Sequence, residues 1–153
     1  MDYFSDLAGM TSATEPQRVE ARMPGWRFSG NINLATPVWE IPALVEATKV
    51  LGLFKLPKGA TVLPYIGGVA TDGDPGTLLF TIGDDDGTTP DPDRYSASLT
   101  VTDGALVPFE FNADGWAPLY TLQKDSWITA TVGAAPVATE GVKVQFALAW
   151  LVG

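Results

Sequence analysis

Residues 142–152 alternate without a break. Val142, Val144, Phe146, Leu148, Trp150 and Val152 fall on one side of an extended chain, and Lys143, Gln145, Ala147, Ala149 and Leu151 on the other. A period of two belongs to a strand, because successive side chains point to opposite faces of a sheet. A strand with one fully apolar face must bury that face against a second layer. The same period recurs at Leu78, Phe80 and Ile82, and again at Tyr95, Ala97, Leu99 and Val101 between Ser96, Ser98, Thr100 and Thr102. A chain built this way is expected to be all-β.

Turn signals separate the strands. Leu56-Pro57-Lys58-Gly59 reads as a turn with Pro second and Gly fourth. Ala60 to Ile66 follows as a strand, with Pro64 inside it marking an edge or a bulge. Gly67-Gly68 allows a bend, and Asp72 to Gly76 turns again. The acidic stretch from Gly83 to Arg94 reads as a long loop. Asp103-Gly104 is a hairpin-type turn with Ala105 to Phe111 returning. Leu119–Leu122 and Trp127–Val132 complete the set. The segment from Glu46 to Leu56 fits a helix face or a strand. Gly52 and the β-rich content favour a strand from Lys49. Strands at this spacing, with no βαβ alternation, predict an antiparallel sandwich or barrel.

The first 37 residues differ. Residues 1–12 could form one short turn of helix. Residues 13–37 are irregular, broken by Pro16, Pro24, Gly25, Gly30 and Pro37. Trp26 and Phe28 lie there beside Arg22 and Arg27, aromatics that a disordered linker would seldom carry. The expected organisation is an extended arm over residues 1–37 and a β domain over residues 38–153. Its expected anchors are Tyr3, Phe4, Leu7, Arg22, Trp26, Arg27 and Phe28.

The chain has no histidine and no cysteine. That removes the usual proton carrier near neutral pH, the Ser-His-Asp and Cys-His pairs, and imidazole or thiolate metal sites. An enzyme is not expected, and no cofactor is called for. The charge of −9 is uneven: residues 1–60 hold six acids and six bases, and residues 61–153 hold twelve acids and three bases. Such a body disfavours nucleic acid, whose phosphates need clustered Lys and Arg. No apolar run is long enough for a membrane helix, and the first residues lack the pattern of a signal peptide.

Three groups of residues invite a chemical reading. Asp84, Asp85, Asp86, Asp91 and Asp93 are close enough in sequence to suggest calcium, but the spacing lacks the glycine and closing Glu of an EF-hand. A solvated acidic loop is the plainer expectation, and no metal site is assigned. Glu40, Glu46, Glu110 and Asp114 could supply a carboxylate pair, but they read more simply as edge and turn acids. Of the five tryptophans, Trp150 is expected in the core, Trp26 as an arm anchor, and Trp116 as the ring best placed to meet a glycan.

The order of several segments resembles small tailed-bacteriophage virion proteins of the capsid decoration, cement or head-fibre type. The segments are Leu56-Pro57-Lys58-Gly59-Ala60, then Leu79 to Asp84, then Asp91-Pro92-Asp93-Arg94-Tyr95, then Ala138-Thr139-Glu140-Gly141 before the last strand. The resemblance covers about residues 46–153 and leaves the first 45 unmatched. It implies a jelly-roll-like sandwich, homotrimer formation, and binding to a major capsid protein on the outer capsid surface after synthesis in the host cytoplasm. A host-glycan-binding module of a fibre or tail is the alternative.

Overall fold

A computed structural model of the chain describes residues 32–109, 119–134 and 136–152. All of them lie within Asn31–Gly153, the second of the two units into which the chain divides. Among the described residues the chain is all-β and antiparallel. Its strands are β1 (Ile32–Ala35), β2 (Val38–Glu40), β3 (Val50–Leu56), β4 (Ala60–Thr71), β5 (Gly76–Thr77), β6 (Leu79–Asp85), β7 (Asp91–Thr100), β8 (Val107–Pro108), β9 (Ser126–Val132), β10 (Val137–Ala138) and β11 (Lys143–Val152).

The strands form two main sheets and a ribbon. One sheet runs β1-β11-β4-β8, with β2 also paired to β11; the other runs β3-β9-β6-β7; β5 and β10 pair separately. Counting β1 and β2 as one strand, and leaving out the ribbon, the pairs are first with last, second with seventh, third with sixth, and fourth with fifth. That nested pairing is the jelly roll, a long double ribbon wrapped into two sheets.

The sheet begins earlier than expected. Ile32 to Ala35 pair with Leu151 to Leu148, so the strand system includes residues read from sequence as arm. The Lys49–Leu56 strand is found as β3.

Several local expectations are corrected. The turn before β4 closes between Pro57 and Ala60, whose amide donates to the Pro57 carbonyl at 3.2 Å. Pro57 is therefore first in the turn. Gly59 occupies the third position with φ +89°, which Gly tolerates best. Gly67-Gly68 is no bend, because β4 runs through it. Phe109 and β8 pack too closely there for a side chain: a Cβ on Gly67 would lie 2.5 Å from the Phe109 ring, and one on Gly68 would lie 2.7 Å from the Val107 carbonyl.

Pro64 sits in a bulge, as the sequence allowed. Leu63 pairs with Ala149 and Gly67 with Leu148, so Pro64, Tyr65 and Ile66 loop out where no ladder hydrogen bond is required. Asp103-Gly104 does not close a hairpin. The chain after it crosses to the other sheet, where β8 pairs with β4. Leu119–Leu122 contributes one bridge, Thr121 to Thr61, and no strand.

The faultless alternation of Tyr95 to Thr102 is also broken. Phe80 pairs with Leu99 but Ile82 with Ser96, so β7 carries an extra residue and changes face. Tyr95 and Ser96 are both buried and Ala97 is exposed. The core between the sheets is built from side chains such as Ile41, Val62, Val69, Leu78, Phe80, Ile82, Leu99, Ile128, Val132, Val144, Phe146 and Leu148.

Candidate functional site

The acidic stretch is a hairpin, not a long loop. β6 continues to Asp85 and β7 starts at Asp91, leaving residues 86–90 as the tip. The strand phase turns Asp84 inward, where it is 3% exposed. Burial raises its pKa above the usual carboxylate value. The Tyr95 hydroxyl, which donates to Oδ2 at 2.7 Å, and the nearby Arg94 act in the opposite direction. Arg94 Nε lies 2.7 Å from the same oxygen, and Nη2 lies 3.2 Å from Asp91 Oδ2. The guanidinium stacks over the Tyr120 ring at 3.8 Å. Burial and the Asp84 hydrogen bond push the Tyr95 phenol far above its usual range, so it remains a donor.

The hairpin tip is tied in the same way. Asp86 Oδ1 accepts the amides of Thr88 and Thr89, each at 2.7 Å. Those bonds and Lys124, 3.6 Å away, hold its pKa down at about 2. Asp85 Oδ1 accepts the Gly87 amide at 2.7 Å. Between these groups lies a cleft of about 30 Å³, lined by residues including Asp84, Arg94, Tyr120 and Lys124. That is room for about one water molecule.

The chemistry of this cluster is therefore internal. Its carboxylates are engaged by a phenol, a guanidinium and amides, and they do not converge on a shared point. Among the described residues no three acidic side chains are placed to hold one cation. The expectation of a uniformly solvated acidic loop fails for Asp84, because β6 carries it into the sandwich.

The surface offers a second kind of site. On the outer side of the β1-β11-β4-β8 sheet, one rung runs Leu34, Ala149, Leu63, and the next runs Ile32, Leu151, Thr61. Ala149 and Leu63 are buried, so the exposed apolar side chains are those of the edge strand and the bulge. Leu34 is 61% exposed and Ile32 50%, and the bulge beside Leu63 presents Tyr65 and Ile66. Farther along the same face, Val38, Ala70, Thr71, Asp72, Lys143 and Gln145 line a cleft of about 250 Å³. Sequence reasoning did not single out Ile32 or Leu34. Their alternation with Asn33 and Ala35 is four residues long, too short to stand out beside the irregular stretch before it.

The anchors Tyr3, Phe4, Leu7, Arg22, Trp26, Arg27 and Phe28 lie outside the described residues, as do Trp116, Glu110 and Asp114. Glu40 and Glu46 are exposed, Glu40 on β2 and Glu46 in the loop before β3. Trp150 packs against the core, tilted at 30° to Phe54 with ring centroids 5.3 Å apart. Trp39 meets Phe80 edge-on at 6.0 Å. Trp127 is 47% exposed on the opposite sheet.

No family model matches the chain. No curated protein matches it either. Among solved structures, it is similar to a chain of the acidic stable capsid structure of Helicobacter pylori bacteriophage KHP30, with 21% identity and a TM-score of 0.49, covering 80% of this chain and 89% of that one. At that level of likeness, function has to be argued from the chain's own residues.

Proposed function

We propose that this chain is a structural protein of a tailed-phage virion, a decoration or cement protein that binds the major capsid protein on the outer capsid surface. It acts without catalysis and without a cofactor. Its motif order resembles such proteins over about residues 46–153, and jelly rolls are common in viral capsids. Fold alone does not assign a role. The observation that carries the reading is β1, an edge strand among the described residues.

An exposed sheet edge offers unpaired amides and carbonyls to another chain, and proteins usually blunt it. Among the described residues, the edges at β3, β7 and β8 are blunted. β3 carries a register shift and Lys55. β7 carries two register shifts and Pro92 among charges. β8 has two residues, one of them Pro108. β1 is Ile-Asn-Leu-Ala, with no charge, proline or register shift, and it exposes Ile32 and Leu34. Such an edge suits strand addition by a partner, with main-chain bonds for affinity and alternate side chains for specificity.

In this proposal Tyr3, Phe4, Leu7, Arg22, Trp26, Arg27 and Phe28 are further anchors on neighbouring subunits. The chain assembles as a homotrimer, and many weak contacts add through effective concentration on a lattice. The acidic body faces water and carries no nucleic-acid function. The test uses full-length protein with Ile32→Lys or Leu34→Lys, mixed with particles lacking the wild-type copy and sedimented. Both variants should fold with stability changed by about 0.5 kcal/mol or less and should stay in the supernatant. Full retention on the particle would remove β1 from the contact. The second reading, a host-glycan-binding module of a fibre or tail, is favoured by one feature, the exposed indole of Trp127.

A further inference from the structure

The outer face of the β3-β9-β6-β7 sheet holds an indole in a small, polar surround. β9 sends Ile128, Ala130 and Val132 into the core and leaves Trp127 facing out. The register sets Trp127 between Lys55 of β3 and Asp85 of β6 on one rung. A neighbouring rung is Gly52, Thr129, Gly83. Gly52 has no side chain to displace the ring. A Cβ built there would lie 3.3 Å from Trp127 Cε3 and 3.6 Å from Cζ3. One side of the six-membered ring is thus set against the β3 backbone, and close to half of the residue remains in water. The Asp85 carboxylate is oriented by the Gly87 amide on its Oδ1.

This arrangement does not suit the centre of a protein interface, where charged side chains are depleted and a ring of neighbours excludes water. It suits a small amphipathic plane. A pyranose has an apolar C–H face that can lie on an indole, and a rim of hydroxyls that can donate to a carboxylate and accept from an ammonium. One base and one acid flank the ring, so the platform has no local preference for charge. The net −9 of the chain disfavours an acidic sugar. We propose that Trp127, Lys55 and Asp85 form a binding platform for neutral hexopyranose oligosaccharides. The inference stands independently of whether the chain sits on a capsid.

The test is a glycan array of neutral and acidic oligosaccharides probed with the full-length protein, followed by calorimetric titration of the neutral hexose oligomers that score. Wild type is expected to bind neutral members and not acidic ones. Trp127→Ala should weaken binding about tenfold or more while the melting temperature and circular dichroism stay unchanged. Trp127→Phe should keep part of the affinity, because a smaller ring still stacks. Asp85→Asn should weaken binding less than Trp127→Ala does. The proposal is overturned if no saccharide binds, if only acidic ones bind, or if Trp127→Ala binds as well as wild type. It is also overturned if Trp127→Ala detaches the protein from particles while wild type binds no sugar, since Trp127 would then be a protein contact.

Discussion

Asp84 and Asp86 are two positions apart and have opposite environments. Asp84 is enclosed by the sandwich, and its charge is disfavoured by burial although Tyr95 and Arg94 support it. Asp86 stands at the hairpin tip, and its charge is favoured by two amides, by Lys124 and by the Thr89 hydroxyl. A carboxylate whose pKa is lowered by folding stabilises the fold above its unfolded pKa and loses that contribution as pH falls through the folded value. For Asp86 the window runs from the ordinary carboxylate value near 3.8 down to about 2. Asp86→Asn should therefore melt at a lower temperature than wild type at pH 6. The gap should close as the pH approaches 2. Melting curves from pH 7 to pH 2 check this, and a gap that persists undiminished at pH 2 would show that the charge of Asp86 is not what stabilises the tip.

At the scale of the element, the β6–β7 hairpin depends on one close approach. β7 folds back over Gly83, and a Cβ there would lie 1.9 Å from the Asp91 carbonyl and 2.4 Å from the Pro92 carbonyl carbon. Both are backbone atoms, so no side-chain rotation can relieve the clash. Gly87, in the same hairpin, has φ +79° and open space around its missing side chain. Gly87→Ala should cost about 1 kcal/mol, the conformational penalty alone. Gly83→Ala should cost about 3 kcal/mol or more, because overpacking is added to it. Denaturant titration of the two variants measures the difference. Equal costs would mean that β7 does not lie against Gly83 as described.

For the whole molecule, the contact between sheets centres on Phe80. Its ring meets Phe146 edge-on at 5.3 Å and Trp39 edge-on at 6.0 Å, so a side chain of one sheet is held by two of the other. Phe80 is completely buried. Phe80→Ala should destabilise the domain by about 3–5 kcal/mol. That is a large share of the roughly 5–15 kcal/mol that a domain of ordinary stability has in total. Chemical denaturation followed by tryptophan fluorescence reads it, and a loss under about 1 kcal/mol would place the inter-sheet contact elsewhere. The arrangement also separates the surfaces. The unblunted edge and the Leu34 rung belong to one sheet, and the Trp127 platform to the other.

Much of the architecture was legible along the chain because a strand writes its period into local order. The inward face of β11 is readable as Val144, Phe146 and Leu148, and Phe80 and Ile82 announce β6 as core. The all-β class follows from that period. Three things were not legible. The bulges at Pro64 to Ile66 and in β7 depend on the register with a partner strand, so the burial of Ser96 beside Tyr95 has no signature in the alternation itself. The crossing of β8 to the other sheet depends on the space that Gly67 and Gly68 leave for Phe109 and Val107, residues about forty positions away. The run of aspartates looked uniform because composition carries no direction. Only the packed sheets decide that Asp84 points inward to Tyr95 and that Trp127 points out over Gly52, since facing is settled by pairing between distant strands.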